Sequence, residues 1–112
     1  MPVVLVVDDS PVDRRLVGGL LGKSPTLDIV YAADGEDAVR MMERVLPNVV
    51  VTDLIMPNMD GLELVATAVE KYPLVPVILM TGKGSEEVAV KALKAGAASY
   101  VPKRALASSL GE

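Results

Sequence analysis

Three unbroken apolar runs, Val3 to Val7, Val49 to Val51 and Val77 to Met80, set the terms on which this chain can fold. None shows the polar alternation of a half-exposed strand, so each reads as a short strand buried on both faces, the habit of a parallel sheet. Helically spaced segments lie between them. Strand followed by helix, five times over, requires a parallel sheet with helices on both faces and right-handed crossovers. The expected class is therefore α/β: a single doubly wound (βα)5 domain with a five-stranded parallel sheet.

Taken in order, Ser10 and Pro11 open a first helix that should run to about Gly22, with Val12, Leu16 and Leu20 at helical spacing. Leu27 to Ala33 mixes polar and β-branched residues in the manner of an edge strand. Asp34 caps a second helix with Ala38, Met41, Met42 and Val45 inward, Glu36, Asp37, Arg40, Glu43 and Arg44 outward, and an end before Pro47. Asp60 and Glu63 start a third helix, expected to carry Leu62, Val65, Ala66 and Val69 inward. Pro73 and Pro76 bracket the turn into the fourth strand, which ends at Thr81. The Gly82 to Gly84 loop leads to a fourth helix from Ser85, with small inward candidates Val88, Ala92 and Ala95 and a stop at Gly96. Ser99 to Val101 form the last strand, ending at Pro102, Lys103 and Arg104. Ala105 to Glu112 can form barely two helical turns, so the closing helix is short or truncated, as if residues 1–112 were one domain cut from a longer protein.

Composition removes several function classes. With 51% hydrophobic residues in 112, one core is well supplied and a second domain does not fit. A net charge of −4 without a Lys/Arg-rich run or aromatic platform disfavours direct nucleic-acid binding. The absence of Cys and His excludes disulfides, thiolate metal sites and a hydrolase triad. No apolar run approaches the ~20 residues of a membrane span, and no signal-peptide pattern follows Pro2, so a soluble cytoplasmic domain is expected.

What remains is chemistry at one sheet edge. Asp53 follows the central apolar run, and in open α/β sheets ligands collect at the carboxyl ends of the strands. Taken alone, Asp53 is equally well a turn-starting residue. It is not alone: Asp8 and Asp9 follow the first strand, Thr81 ends the fourth and Lys103 follows the fifth. Three clustered carboxylates repel one another, and protonation, a cation or a divalent metal offsets the repulsion. An oxygen-only site suits Mg2+, which leaves one acid free as a nucleophile toward phosphorus. Lys103 and the Thr81 hydroxyl would then meet phosphoryl oxygens.

The residues Asp8-Asp9, TDLIMPNMDG around Asp53, LMTG around Thr81, Tyr100 and Lys103 give the chain its likeness: from Val3 to about Leu110 it resembles a response-regulator receiver domain of two-component signalling. The resemblance implies the flavodoxin-like strand order 2-1-3-4-5. It implies that Asp53 is phosphorylated by a sensor histidine kinase, that Asp8, Asp9, Asp53 and the Ile55 backbone carbonyl hold Mg2+, and that Thr81 and Tyr100 form a switch. The fourth helix, fifth strand and closing helix would form the face that controls an output domain or partner and that can support a homodimer. A receiver of this kind is no metabolic enzyme, only a weak catalyst of its own phosphorylation and dephosphorylation.

Two departures stand out. Pro102 precedes Lys103 and Arg104 follows it, so the Lys-Pro bond common in the family is absent, and Gly82 stands where a small residue such as Ala is usual. Three other readings compete. A flavin or nucleotide carrier needs a phosphate loop where DDSPVD stands, and the TGKGS loop lacks the G-x-x-x-x-G-K-[ST] pattern. An Asp-nucleophile phosphatase usually has a second Asp where this chain has Ile55. A degenerate receiver would lack one of the acids, Thr81 or Lys103, all of which are present.

Overall fold

The computed structural model describes residues 2–12, 15, 19, 28–53, 61–81 and 86–102, with the side chains of Thr81, Glu86, Val88, Ala89 and Pro102 outside that description. Five strands, β1 (Val3–Val7), β2 (Asp28–Ala32), β3 (Val49–Asp53), β4 (Val77–Thr81) and β5 (Ser99–Pro102), form one sheet in the order β2-β1-β3-β4-β5. Every pairing is parallel. The expected fold class and strand order are therefore observed.

Burial follows from place in the sheet. β1 is buried from Val4 to Val7 because β2 and β3 flank it, whereas β2 has one neighbour and leaves Asp28 and Tyr31 exposed. Alternation splits the interior into two layers. Leu5, Val7, Val50, Val77 and Leu79 join Ala38 and Met42 of the helix Gly35–Val45, Leu64, Val65 and Ala68 of the helix Gly61–Lys71, and Ala92 of the helix Glu86–Lys94. Val4, Val6, Val51 and Met80 occupy the other face and are also buried. Of the first predicted helix, Pro11, Val12, Arg15 and Gly19 are described and helical. Leu16, Leu20 and the closing segment from Lys103 onward lie outside the described residues.

Local chemistry fixes the helix ends. The Asp37 N–H donates to Asp34 Oδ1 (2.8 Å), while Asp37 Oδ2 accepts from the Ala33 N–H (3.2 Å), so two otherwise unpaired donors are met by two acids. Arg40 lies 3.6 Å from Asp37 on the exposed side, a pair worth little by itself. At the other end Leu46 adopts a left-handed conformation (φ 47°) and its N–H donates to Met42 O. The helix Glu86–Lys94 closes through Gly96 at φ +116°, with the Ala97 N–H reaching back to Ala92 O (3.0 Å).

Three inward assignments, Ala66, Val69 and Ala95, are corrected, and Val12, expected at helical spacing, proves exposed. Val12 is 75% exposed, because it lies three residues past Asp9 at the sheet's carboxyl edge, short of the core. Ala66 and Val69 are exposed, and Gly61, Leu64, Val65 and Ala68 form the buried stripe instead. The segment GLELVATAVEK offers two overlapping apolar frames, so polarity alone does not choose and packing against the neighbouring helix does. Ala95 falls in the exposed turn after the helix, and Ala97 takes the buried place.

Candidate functional site

Asp8 is held at the end of β1 by its backbone and its side chain together. Its N–H donates to Ala32 O (3.1 Å), extending the strand ladder by one step, and its Oδ1 accepts from the Ser10 N–H (2.9 Å) in a tight Asx turn. The residue is fully buried. Asp9 follows on the exposed rim, and Asp53, half-buried, ends β3 opposite Met80 of β4. Carboxylate oxygens of Asp8, Asp9 and Asp53 lie within 4.8 Å of one another. Two strand ends separated by some forty residues of chain are thus brought to one point by the β1–β3 pairing.

Oxygen is the only donor the trio offers, and one acid is withdrawn from water. That combination fits a small hard cation rather than a thiolate- or imidazole-binding metal. The expected ligand set is therefore brought together as far as Asp8, Asp9 and Asp53; Ile55 lies outside the described residues.

Thr81 ends β4 in register with Pro102 of β5, so its backbone is at the same sheet edge, and its side chain is not described. Tyr100 pairs with Leu79, two residues back along the neighbouring strand, and is 37% exposed. Lys103 and the Gly82 to Gly84 loop lie outside the described residues. One polar residue escaped the sequence reading. Thr52 is fully buried directly before Asp53, and it and Asp8 are the buried polar side chains among the described residues. The signal was a hydroxyl at an inward position of an otherwise apolar strand.

The family model for the response regulator receiver domain matches residues 4–111. The chain belongs to that family. Over 103 residues it is 39% identical to a protein-glutamate methylesterase/protein-glutamine glutaminase of Pyrococcus abyssi, an alignment covering 89% of this chain and 28% of that relative. The chain thus spans less than a third of that relative's length. Among solved structures, the receiver domain of NtrX from Brucella abortus superposes with a TM-score of 0.85 at 28% identity, covering 96% of this chain and 94% of that one. The Mn(2+)-bound form of response regulator Rcp1 superposes with a TM-score of 0.84 at 25% identity, covering 98% of this chain and 89% of that one. This receiver domain is a two-component signalling module, and among its described residues no helix is long and apolar enough to cross a membrane.

Proposed function

We propose that Asp53 accepts a phosphoryl group from the phosphohistidine of a sensor histidine kinase, in a Mg2+-dependent reaction, and that the phosphorylated domain controls an output partner or domain. The observation that carries this reading is the approach of Asp8, Asp9 and Asp53 to within 4.8 Å at the end of two buried strands. Asp8, Asp9, Asp53 and the Ile55 carbonyl would hold Mg2+, which when bound supplies the positive charge that lets a carboxylate approach a phosphoryl group. The metal-bound form of Rcp1 supports the assignment by family likeness.

The transfer itself falls to Asp53. One carboxylate oxygen attacks phosphorus, the P–O bond forms as the P–N bond breaks, and the imidazole leaves with the electron pair and takes up a proton. β3 is paired on both sides as far as Thr52 and with β4 at Asp53, which limits the orientation lost at reaction. Lys103 pairs first with the acids and then with phosphoryl oxygen, while the Thr81 hydroxyl donates to another.

Drawing Thr81 inward couples the site to the helix Glu86–Lys94, and Tyr100 follows as the second switch residue. Val90, Leu93 and Tyr100 are exposed on that helix and on β5, apolar surface suited to an output contact or a homodimer. The relatives that carry this region as a minor part of a methylesterase/glutaminase support a regulatory role without metabolic turnover of its own; the net charge of −4 goes with a module that does not bind nucleic acid directly, and a place in the cytoplasm belongs to the same reading.

Incubation with acetyl phosphate and Mg2+, followed by intact-mass measurement, tests the reading. A gain of one phosphoryl group is expected, lost on chelation and lost in Asp53→Asn. Retention of the gain in Asp53→Asn would overturn it. Amide exchange with fluoroberyllate and Mg2+ should change protection in residues 82–104, and much less in Thr81→Ala.

A further inference from the structure

Thr52 occupies a place built for an aliphatic side chain. In register it lies between Val7 of β1 and Leu79 of β4, both fully buried, on the face that carries Val50 two residues earlier. Valine would fill that space without any polar group to satisfy. A buried hydroxyl must be hydrogen-bonded to be tolerated, so its presence calls for a reason. Thr52 Oγ1 donates to the backbone carbonyl of Asp53 at 2.9 Å.

That carbonyl belongs to the last residue of β3, where the β1 ladder has already run out at Thr52. A side-chain hydroxyl thus holds the Asp53 carbonyl at the point where the β1–β3 register has ended. We propose that Thr52 is a positioning residue for the acid cluster: its hydroxyl holds the Asp53 carbonyl and so fixes the peptide plane that aims the Asp53 carboxylate toward Asp8 and Asp9. The inference rests on the phospho-acceptor reading above for its rate effect, but not for its effect on cation binding.

The discriminating pair is Thr52→Ser and Thr52→Ala, since both lose the same methyl group and differ only in the hydroxyl. Two quantities are measured well below the melting temperature of the weakest variant. They are the Mg2+ dissociation constant of the unphosphorylated protein by calorimetry, and the rate of phosphorylation by acetyl phosphate at saturating Mg2+. Thr52→Ala should lose roughly tenfold in rate and about threefold in Mg2+ affinity, because small misplacement of a reacting group is costly, while Thr52→Ser stays within about twofold of wild type. Thr52→Val, which fills the space without the hydroxyl, should behave as Thr52→Ala. Equal behaviour of the Ser and Ala variants, or wild-type behaviour of Thr52→Val in both measurements, overturns the proposal. If wild type takes up no phosphoryl group, the acceptor reading fails, and the Mg2+ affinities still decide the role of Thr52.

Discussion

At the carboxyl edge of the sheet, β1 and β3 run out into Asp8, Asp9 and Asp53, acids crowded within 4.8 Å. At the amino edge the same two strands begin at Val3 and Val49, and there the polar groups are matched to one another. Asn48 Oδ1 accepts from the Val3 N–H (2.8 Å), and the Asn48 N–H donates to Val3 O (2.8 Å), a two-bond clasp that starts the β1–β3 pairing. Gly96 and Leu46, the two described residues with positive φ, also lie on the returns toward the amino edge. One edge gathers like charge and so suits a cation; the other spends its polar groups on the fold. Substitutions should therefore change chemistry at the first edge and stability at the second.

The largest contrast is functional. Asp53→Asn should take up no phosphoryl group, whereas Asn48→Ala should be phosphorylated at the wild-type rate even though it loses about 1 kcal/mol of stability with its hydrogen bond. Intact mass and a thermal melt on the same preparations check both halves. Impaired phosphorylation of a fully folded Asn48→Ala would show that the edges are not separable.

Next in size is Gly96. Its φ of +116° is one that L side chains rarely adopt, and a Cβ there would come within 2.6 Å of Val69 Cγ2. Gly96→Ala combines backbone strain with overpacking, so a loss of about 2 kcal/mol is expected. Urea titration measures it, and a change below about 0.5 kcal/mol would refute the contact.

The sign reverses at the acid edge. Asp8→Asn and Asp53→Asn each remove one of three clustered charges, and Asn at position 8 keeps an oxygen acceptor for the Ser10 N–H. Without metal, each variant should be more stable by about 1 kcal/mol, and added Mg2+ should shrink or invert the gain because wild type then binds the ion more tightly. Melts with and without Mg2+ decide it; equal or lower stability without metal would argue against a tight cluster.

How much of this was legible beforehand differs between the edges for a physical reason. The runs at Val3, Val49 and Val77 announce central strands because both faces are buried, and acids directly after such runs are visible as a pattern. Family likeness supplied the strand order. What a single-residue pattern does not carry is a choice between equivalent frames, hence Ala66 and Val69 read as inward where Leu64 and Ala68 are buried. Nor does it show cross-strand partners, so the Asn48 clasp and the Thr52 hydroxyl emerge only when β1, β3 and β4 are laid side by side.

The smallest predicted effect concerns Leu46. Its left-handed conformation costs a side-chain-bearing residue about 1 kcal/mol, yet the Leu46 N–H must reach Met42 O and the next residue is Pro47, so the turn is fixed. At 65% exposure the leucine side chain returns little burial to offset that strain. Glycine removes the strain but gives back roughly 0.5–1 kcal/mol through the freer unfolded chain, so Leu46→Gly should be nearly neutral. Asparagine tolerates the same conformation without that entropic penalty, and Leu46→Asn should stabilise by about 0.5 kcal/mol, a rise in melting temperature of a few degrees for a domain of this size. Because the site edge is untouched, its phosphorylation rate should match wild type. A melting temperature that falls in Leu46→Asn would mean that the exposed leucine contributes contacts outweighing its backbone strain, and the amino edge would then be held by apolar packing as well as by its hydrogen-bonded clasp.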